Sequence, residues 1–387
     1  MKELRYKETE IGLIPYDWEV KSLNEIAQII GGGTPSTTVS AYWNGDINWF
    51  TPAEITKAPK YVKNSERRIT SFGLKNSSAK LLPAGTILLT TRATIGATAI
   101  LMTTACTNQG FQSLIVSSDY SNELVYYIIP LIKNKMLNNA GGSTFPEISP
   151  QKLSKINIAV PPTLTEQKRI ASALCSVDNL IYSLDNLIQK KKKIKQGAMQ
   201  QLLTGKKRLK GFTEPWEECQ LGDALQFEQP TPYIVKETDY VDNGVPVLTA
   251  GKSFILGYTT EEVGIYDKGD VIIFDDFTTD SKYVTFPFKA KSSAMKMLTA
   301  NEGFVLRFMY ELLSTIDYKP SDHMRHWIGM FSKLTIKTPP LNEQLAIANI
   351  SSSMDNEISA LEAKKAKYES IKQGMMQVLL TGKIRLI

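Results

Sequence analysis

The sequence predicts an α+β fold: two β-rich domains separated by two long antiparallel helices that form a short coiled coil, with a pseudo-twofold internal repeat. Three observations carry this prediction. Residues 166–209 (EQKRIASALCSVDNLIYSLDNLIQKKKKIKQGAMQQLLTGKKRL) recur at 343–386 (EQLAIANISSSMDNEISALEAKKAKYESIKQGMMQVLLTGKIRL) at a constant offset of 177 without a gap. A repeat sets the architecture before any local signal is weighed. Each copy follows a Pro-Pro pair, Pro161-Pro162 and Pro339-Pro340, and each is preceded by a longer, more divergent segment. Positions 177, 181, 184, 188, 191 and 195, and their counterparts 354, 358, 361, 365, 368 and 372, keep the 4-3 spacing of a coiled-coil seam.

The order of elements follows. Residues 1–160 form the first β-rich domain, 161–209 the first helix, 210–338 the second domain and 339–387 the second helix. In the first domain, the turn at Ala84-Gly85 leads into a strand, TILLTT; Gln112–Val116 and Ile156–Val160 are further strands. Leu124–Met136 has helical spacing but contains Pro130, which predicts a break or two short helices. In the second domain Gly269–Phe274 (GDVIIF) answers Gly85–Thr90, and Leu334–Thr338 answers Ile156–Val160. Thr165 and Asn342 are placed to cap the helix starts, and Gly205 and Gly382 in LLTGK suit the left-handed position that ends a helix. Lys191, Lys195, Lys365 and Lys372 enter the seam and weaken it, while Ile194 and Ile371 stand one residue off register. Gly197 and Gly374 lie inside the helices at a cost of about 1 kcal/mol each relative to Ala, which predicts close approach of another backbone.

The chain has 387 residues, 22% charged and 42% hydrophobic, with a net charge of +6. That is ordinary globular composition, with length for two or three domains. The charge is uneven: residues 160–210 hold eleven Lys and Arg against Glu166, Asp178 and Asp185, a net of about +8, which is either a stripe along a phosphate backbone or a solvated helix face. Three scattered cysteines fit a reducing cytoplasm and neither a disulfide frame nor a metal cluster. The N-terminal MKELRYKETE has no apolar core of a secretory signal, and no apolar run reaches the ~18 residues of a membrane span. A cytoplasmic location is expected.

Catalytic signatures do not assemble. The Gly-Lys pairs at 205–206 and 382–383 lack the remainder of a phosphate-binding loop, and Gly31-Gly32-Gly33-Thr34-Pro35 has no Lys placed to meet phosphate, so it reads as a tight loop. Asp275, Asp276, Asp280 and Lys282 resemble a nuclease cluster only in composition. His323 and His326 have no further Cys or His to complete a metal site, so no metal is expected.

What is present suits binding. Arg92 in TTRATIG and Asn108-Gln109 in TNQGFQ can read base edges, Arg pairing with guanine and Asn or Gln with adenine; alternatively the Asn-Gln pair satisfies turn backbone. At the matched positions, offset 184 from Gly85/Gly269, the second half has Asp276, Ser292 and Ser293. Unlike side chains at matched positions are what two readers of different sequences need. The candidate DNA contacts are Thr34, Trp49, Arg92, Asn108, Gln109 and Ser143 in the first half, and Lys252, Asp276, Lys282, Ser292 and Arg325 in the second.

The chain resembles the specificity subunits of Type I restriction-modification systems. The motifs are IPYDWEVKSL, GGGTPS, TTRATIG with TNQGFQ, GGSTFPEIS, and above all the doubled Pro-Pro…Glu-Gln entering a long helix that ends LLTGK. The second domain departs from this set: it lacks a clear GGTPS and the Asn-Gln pair. The resemblance implies two target-recognition domains that read a split, asymmetric site in double-stranded DNA, with the helices setting the spacer. It implies no catalysis in this chain. Methylation falls to two modification (methyltransferase) subunits, which carry S-adenosylmethionine and dock on the helices, with Gln196, Gly197, Gln200, Gln373, Gly374 and Gln377 as candidate docking residues. Cleavage falls to restriction (translocase/nuclease) subunits. The rival reading is a non-enzymatic scaffold that displays two protein-binding domains on a coiled coil.

Overall fold

A computed structural model describes residues 5–142, 146–251, 253–316 and 326–387, the side chain of His326 excepted. It divides into two compact units: residues 1–183 with 365–387, and residues 184–364. Each combines one β-rich domain with segments of both long helices, Leu164–Leu202 and Leu341–Leu379.

In the first unit a five-stranded sheet runs in the order Ala27–Gly31, Gln112–Val116, Ile87–Leu89, Thr98–Leu101, Tyr61–Val62, antiparallel except for the last, parallel pair. A three-stranded sheet places Trp43–Phe50 between Ala105–Thr107, parallel, and Arg67–Ile69, antiparallel. The TILL run is apolar throughout because both its faces are covered. Ile87 and Leu89 enter one core with the helix Asn122–Asn139, and Leu88 enters another with Phe50 and Phe111.

The second unit repeats the plan. A four-stranded antiparallel sheet runs Leu225–Glu228, Met295–Ala300, Val271–Asp275, Ser281–Val284; a three-stranded sheet places Val245–Leu248 between Ile255–Thr259 and the parallel Lys289–Ala290. Again the central strand splits its side chains. Ile272 and Phe274 face the core that holds the helix Leu306–Leu313, and Val271 and Ile273 face the other. In each unit a short strand after a Trp (Glu19–Ser22, Glu217–Gln220) pairs with the strand that precedes the Pro-Pro (Asn157–Val160, Thr335–Thr338).

Within each unit the helix segments run antiparallel. In the first, Lys372 pairs with Asp178 (2.6 Å) and Arg385 with Glu166; in the second, Lys191 pairs with Glu357 (2.6 Å), Lys195 with Asp355 (2.7 Å) and Arg208 with Glu343 (2.6 Å). The 4-3 positions are the sheltered ones: Leu184, Ile188 and Ile358 are buried, and Ile194 and Ile371 are exposed, as their register requires. Lys191, Lys195 and Lys372 are accommodated because each meets a carboxylate of the other helix, and Lys192 pairs with Glu362 (2.7 Å). Much of the basic run is therefore neutralised within the chain.

The repeated Glu-Gln has a structural reason in both units. Gln167 accepts the Ser121 N–H (2.9 Å) at the start of the Asn122–Asn139 helix and donates to the Pro161 carbonyl (3.0 Å). Gln344 likewise accepts the Val305 N–H (2.9 Å), before the Leu306–Leu313 helix, and donates to the Pro339 carbonyl (2.9 Å). The preceding Glu receives the arginine that follows LTGK in the other copy. Arg385 forks onto Glu166 and Asp17, and Arg208 forks onto Glu343, which also accepts from Trp216 Nε1 (3.2 Å). Gly205 and Gly382 take φ of 68° and 69° and are followed by matched bonds from the Lys207 N–H to the Gln201 carbonyl and from the Ile384 N–H to the Val378 carbonyl.

Three expectations are corrected. The helix Asn122–Asn139 passes through Pro130 unbroken, because Pro130 is exposed while Ile129, Ile132 and Met136 hold both sides of it to the core. The long helices begin before Thr165 and Asn342. Thr163 Oγ1 accepts the Glu166 N–H (3.3 Å), and the Pro340 carbonyl accepts the Glu343 N–H (2.9 Å). Gly197 and Gly374 are exposed, and a Cβ at either would meet nothing within 4 Å, so no backbone of the described residues approaches them.

Candidate nucleic-acid interface

In the first unit three chain segments leave the sheets side by side. Trp43–Phe50 ends at Thr51, where Glu54 accepts both the Thr51 N–H and its hydroxyl (2.7 Å each). Its parallel neighbour ends at Asn108, whose N–H reaches the Phe50 carbonyl (3.1 Å). The strand Ile87–Leu89 continues to Thr91, whose N–H reaches the Gly110 carbonyl (2.9 Å), and on to Arg92. Pro52, Ala53, Arg92, Ala93, Thr94, Asn108, Gln109 and Gly110 then line one open depression of about 480 Å³. The structure thus brings Arg92, Asn108 and Gln109 together.

Arg92 is half exposed, with Nε 3.8 Å from an equally exposed Glu147 carboxylate. A surface pair at that distance holds the guanidinium weakly and leaves its donors available. Asn108 Oδ1 accepts the Gly110 N–H (2.9 Å), so its carbonyl serves the turn and its amide nitrogen has no partner among the described residues. Gln109 is exposed, and its Oε1 receives the Thr34 hydroxyl. The glycines before Thr34 are packing requirements: a Cβ on Gly32 would lie 1.9 Å from the Asn108 carbonyl oxygen, and one on Gly33 would lie 2.4 Å from Ala79 N. The GGGTP loop therefore holds the Asn-Gln loop in place. Ala93 adopts φ of 61°, a conformation that costs of order 1–3 kcal/mol and persists only where the surroundings impose it.

Trp49 is not a contact surface. It is 3% exposed, donates to the Gly33 carbonyl (2.9 Å) and packs edge-on against Trp43. Buried behind these loops, it holds the Gly33 end of the GGGTP loop instead. Arg67, which the sequence reading missed, is exposed on the neighbouring strand, with its guanidinium 3.8 Å from the Trp43 ring centroid. The signal was the Arg67-Arg68 pair on a strand opposite two tryptophans, which needs the strand pairing to be seen.

The second unit places its loops alike and fills them differently. Asp276 is 1% exposed: it accepts the Trp327 N–H (2.9 Å) and faces Lys296 Nζ at 3.4 Å, with both side chains buried. The expected base contact at Asp276 is therefore withdrawn, because its carboxylate is consumed inside the domain. Asp275 caps its own loop by accepting the Phe277 and Thr278 N–H groups (2.9 and 3.2 Å), which removes the second acid of the imagined nuclease cluster. Thr279 takes φ of 63°, so this loop too holds a non-glycine residue in the left-handed region. Ser292 accepts the Ala294 N–H (3.4 Å) beside it, and Lys282 is exposed on the strand Ser281–Val284. Ser143, Lys252 and Arg325 lie outside the described residues, as does His323. Gln196, Gly197, Gln200, Gln373, Gly374 and Gln377 are all exposed. No helix among the described residues is long and apolar enough to cross a membrane.

Comparison with known proteins agrees with this duplicated plan. The type I restriction enzyme MjaIX specificity subunit of Methanocaldococcus jannaschii is 42% identical over 185 residues, 46% of this chain and 42% of that protein. The EcoR124I/EcoR124II specificity subunit of Escherichia coli is 48% identical over 150 residues, 37% of each chain. The chain thus matches about two fifths of the length of these two relatives. The putative MjaX specificity subunit of Methanocaldococcus jannaschii aligns over 99% of this chain and 97% of its own length at 27% identity. The crystal structure of a Type I restriction-modification S subunit from M. genitalium has the same fold, with a TM-score of 0.64 at 15% identity over 94% of this chain and 96% of that one. The family model described as "Type I restriction modification DNA specificity domain" matches residues 15–196 and 213–373. With both halves matched and the fold shared end to end, the chain belongs to that family.

Proposed function

We propose that this chain is the DNA-specificity subunit of a Type I restriction-modification complex. Each β-rich domain reads one half of a bipartite, asymmetric site. The observation that carries this is the contrast at matched positions: Arg92, Asn108 and Gln109 line one depression in the first unit, where the second unit has a buried Asp276, Ser292 and Ser293. An arginine with a loosely held guanidinium and an Asn-Gln pair whose amide nitrogens are open are donors that base edges accept. The chain carries no reaction itself. S-adenosylmethionine binds a methyltransferase partner, two copies of which dock on the helices, and restriction subunits join that assembly. Support for docking comes from Gly197 and Gly374, which are present in both helices at exposed positions that none of the described residues covers.

The test is to map modified bases across the genome of a strain expressing this chain with its methyltransferase. The expected motif has two unlike halves and a fixed gap. Inserting one heptad in the middle of each long helix should lengthen the gap by about three base pairs, from 1.5 Å per helical residue against 3.4 Å per base pair, and leave both halves unchanged. Insertion around Gln201–Lys207 or Gln377–Lys383 is unsuitable, because those residues form the helix caps. A contiguous motif, or altered halves with a constant gap, would reject the proposal.

A further inference from the structure

Where the first domain meets the first long helix, Lys60 Nζ lies 2.7 Å from Cys175 Sγ. That is the separation of an N–H···O hydrogen bond, although sulfur is the larger atom. The pair sits in a built environment within one unit. The Nζ lies 4.4, 5.1 and 5.3 Å from the ring centroids of Tyr127, Tyr61 and Tyr126. It is 3.3 Å from the Tyr127 hydroxyl, which is itself 3.6 Å from Sγ and donates to Asp178.

Nearby charges are otherwise committed. Asp178 is held by Lys372 (2.6 Å) and Tyr127, and Glu123 is reached by Tyr61. Burial pushes the Tyr126 phenol up to about 12 and also raises Tyr61 and Tyr127, so no phenolate competes for the amine. Among the described residues no carboxylate is ion-paired with Lys60. Both Lys60 and Cys175 are partly exposed, so a small oxidant can reach them. The other helix copy has Ser352 at the matched position, which makes the pair a feature of the first unit alone.

We propose that Lys60 and Cys175 form an oxidation-dependent covalent cross-link between the first domain and the first long helix. Hydrogen peroxide transfers one oxygen to the thiol, giving Cys175 sulfenic acid and one water; sulfur is oxidised by two electrons and peroxide is reduced. Lys60, having released its ammonium proton to solvent, attacks the sulfur through its nitrogen lone pair. The N–S bond forms, the S–O bond breaks, and hydroxide leaves with the second amine proton as water. The product is a sulfenamide; one added thiol displaces the amine and forms a mixed disulfide with Cys175, and a second frees the Cys175 thiol, the added thiol leaving as its disulfide. The bond ties the segment leading into Tyr61–Val62 to the helix.

The test uses the full-length chain treated with hydrogen peroxide, then digested under denaturing conditions and mapped by mass spectrometry. The expected product is a joined peptide pair carrying Lys60 and Cys175, about 2 Da lighter than the sum of its reduced parts and split by dithiothreitol. In K60R, which keeps the cation and removes the primary amine, the joined pair is absent and Cys175 runs on to sulfinic acid. Cys106, fully buried with its thiol pushed up to about 11 by desolvation, serves as the unreactive internal control. The proposal is overturned if wild-type Cys175 is recovered as sulfinic acid or as free thiol with Lys60 in a linear peptide, or if Cys175 is found in a disulfide.

Discussion

The first unit closes on Arg385, which bridges Glu166 and Asp17 and is 8% exposed; the second closes on Arg208, which holds Glu343 with help from Trp216 and is 25% exposed. One step along the helices, the two units brace their domains on a matched Lys-Asp pair, Lys372–Asp178 and Lys195–Asp355. The third partner differs. In the first unit it is Tyr127, beside Leu174; in the second it is Glu311, which also receives Arg307 and Ser351. Position 127/311 is Tyr in one unit and Glu in the other, and position 174/351 is Leu and Ser, so the first brace is the less polar and the second the more polar at both positions. At the loops the matched side chains differ as well, Arg92 exposed and Asp276 buried. The repeat therefore keeps one frame of helices, caps and Lys-Asp pairs while side chains differ both in the buried brace and at the exposed loops.

The sharpest way to break this comparison is at the joints. R385A leaves Glu166, 3% exposed, without its strongest partner and should cost about 3–5 kcal/mol, read as a drop in the thermal midpoint. R208A should cost less, because Glu343 retains Trp216. Equal losses would mean that Trp216 does not compensate Glu343 for its arginine and that Asp17 adds nothing to the first joint.

A smaller effect sharpens the contrast between the loops. R92A should weaken modification at the first half-site by about 1–3 kcal/mol, leaving the second half-site and the melting temperature unchanged. D276A, at the matched position, should instead lower the melting temperature, because it strands Lys296 in the interior. Uniform loss across all DNA sequences in R92A would make Arg92 a phosphate contact.

The smallest expected effect is on acid stability. The Glu237 N–H, the Lys289 ammonium and the Lys236 N–H hold the Glu261 carboxyl down at about 2, below its ordinary 4.5. The carboxyl is more acidic folded than unfolded, so its contribution is complete above about pH 4.5 and fades as pH falls toward 2. Acid unfolding followed between those limits should be flatter in E261Q. In the first unit the Arg385 guanidinium likewise holds Asp17 below its ordinary 3.8, so the contribution of Asp17 is complete above that value and fades as pH falls below it, and D17N should flatten acid unfolding there. No change in either variant would mean that neither carboxylate distinguishes folded from unfolded chain.

Much of the frame was legible in the residues. The 4-3 spacing identified the seam down to Leu184, Ile188 and Ile358, and LLTGK located the left-handed Gly205 and Gly382. Arg92, Asn108 and Gln109 were readable as donors, and the fold does gather them. Pro130 misled because local propensity says nothing about which face the proline occupies. Trp49 and Asp276 misled because an aromatic or acidic residue near a loop looks alike whether it points out or in. Arg67 was overlooked because its stacking on Trp43 depends on strands that are distant in sequence.

By itself the sequence determined the repeat, the helices and the positions of their seam, since periodicity and spacing act over a few residues and survive without knowledge of the rest. Only the tertiary structure decided which matched side chains face solvent. Asp276 turns inward to Lys296 and Arg92 turns outward because burial is set by what packs behind each loop, and those partners come from elsewhere in the chain.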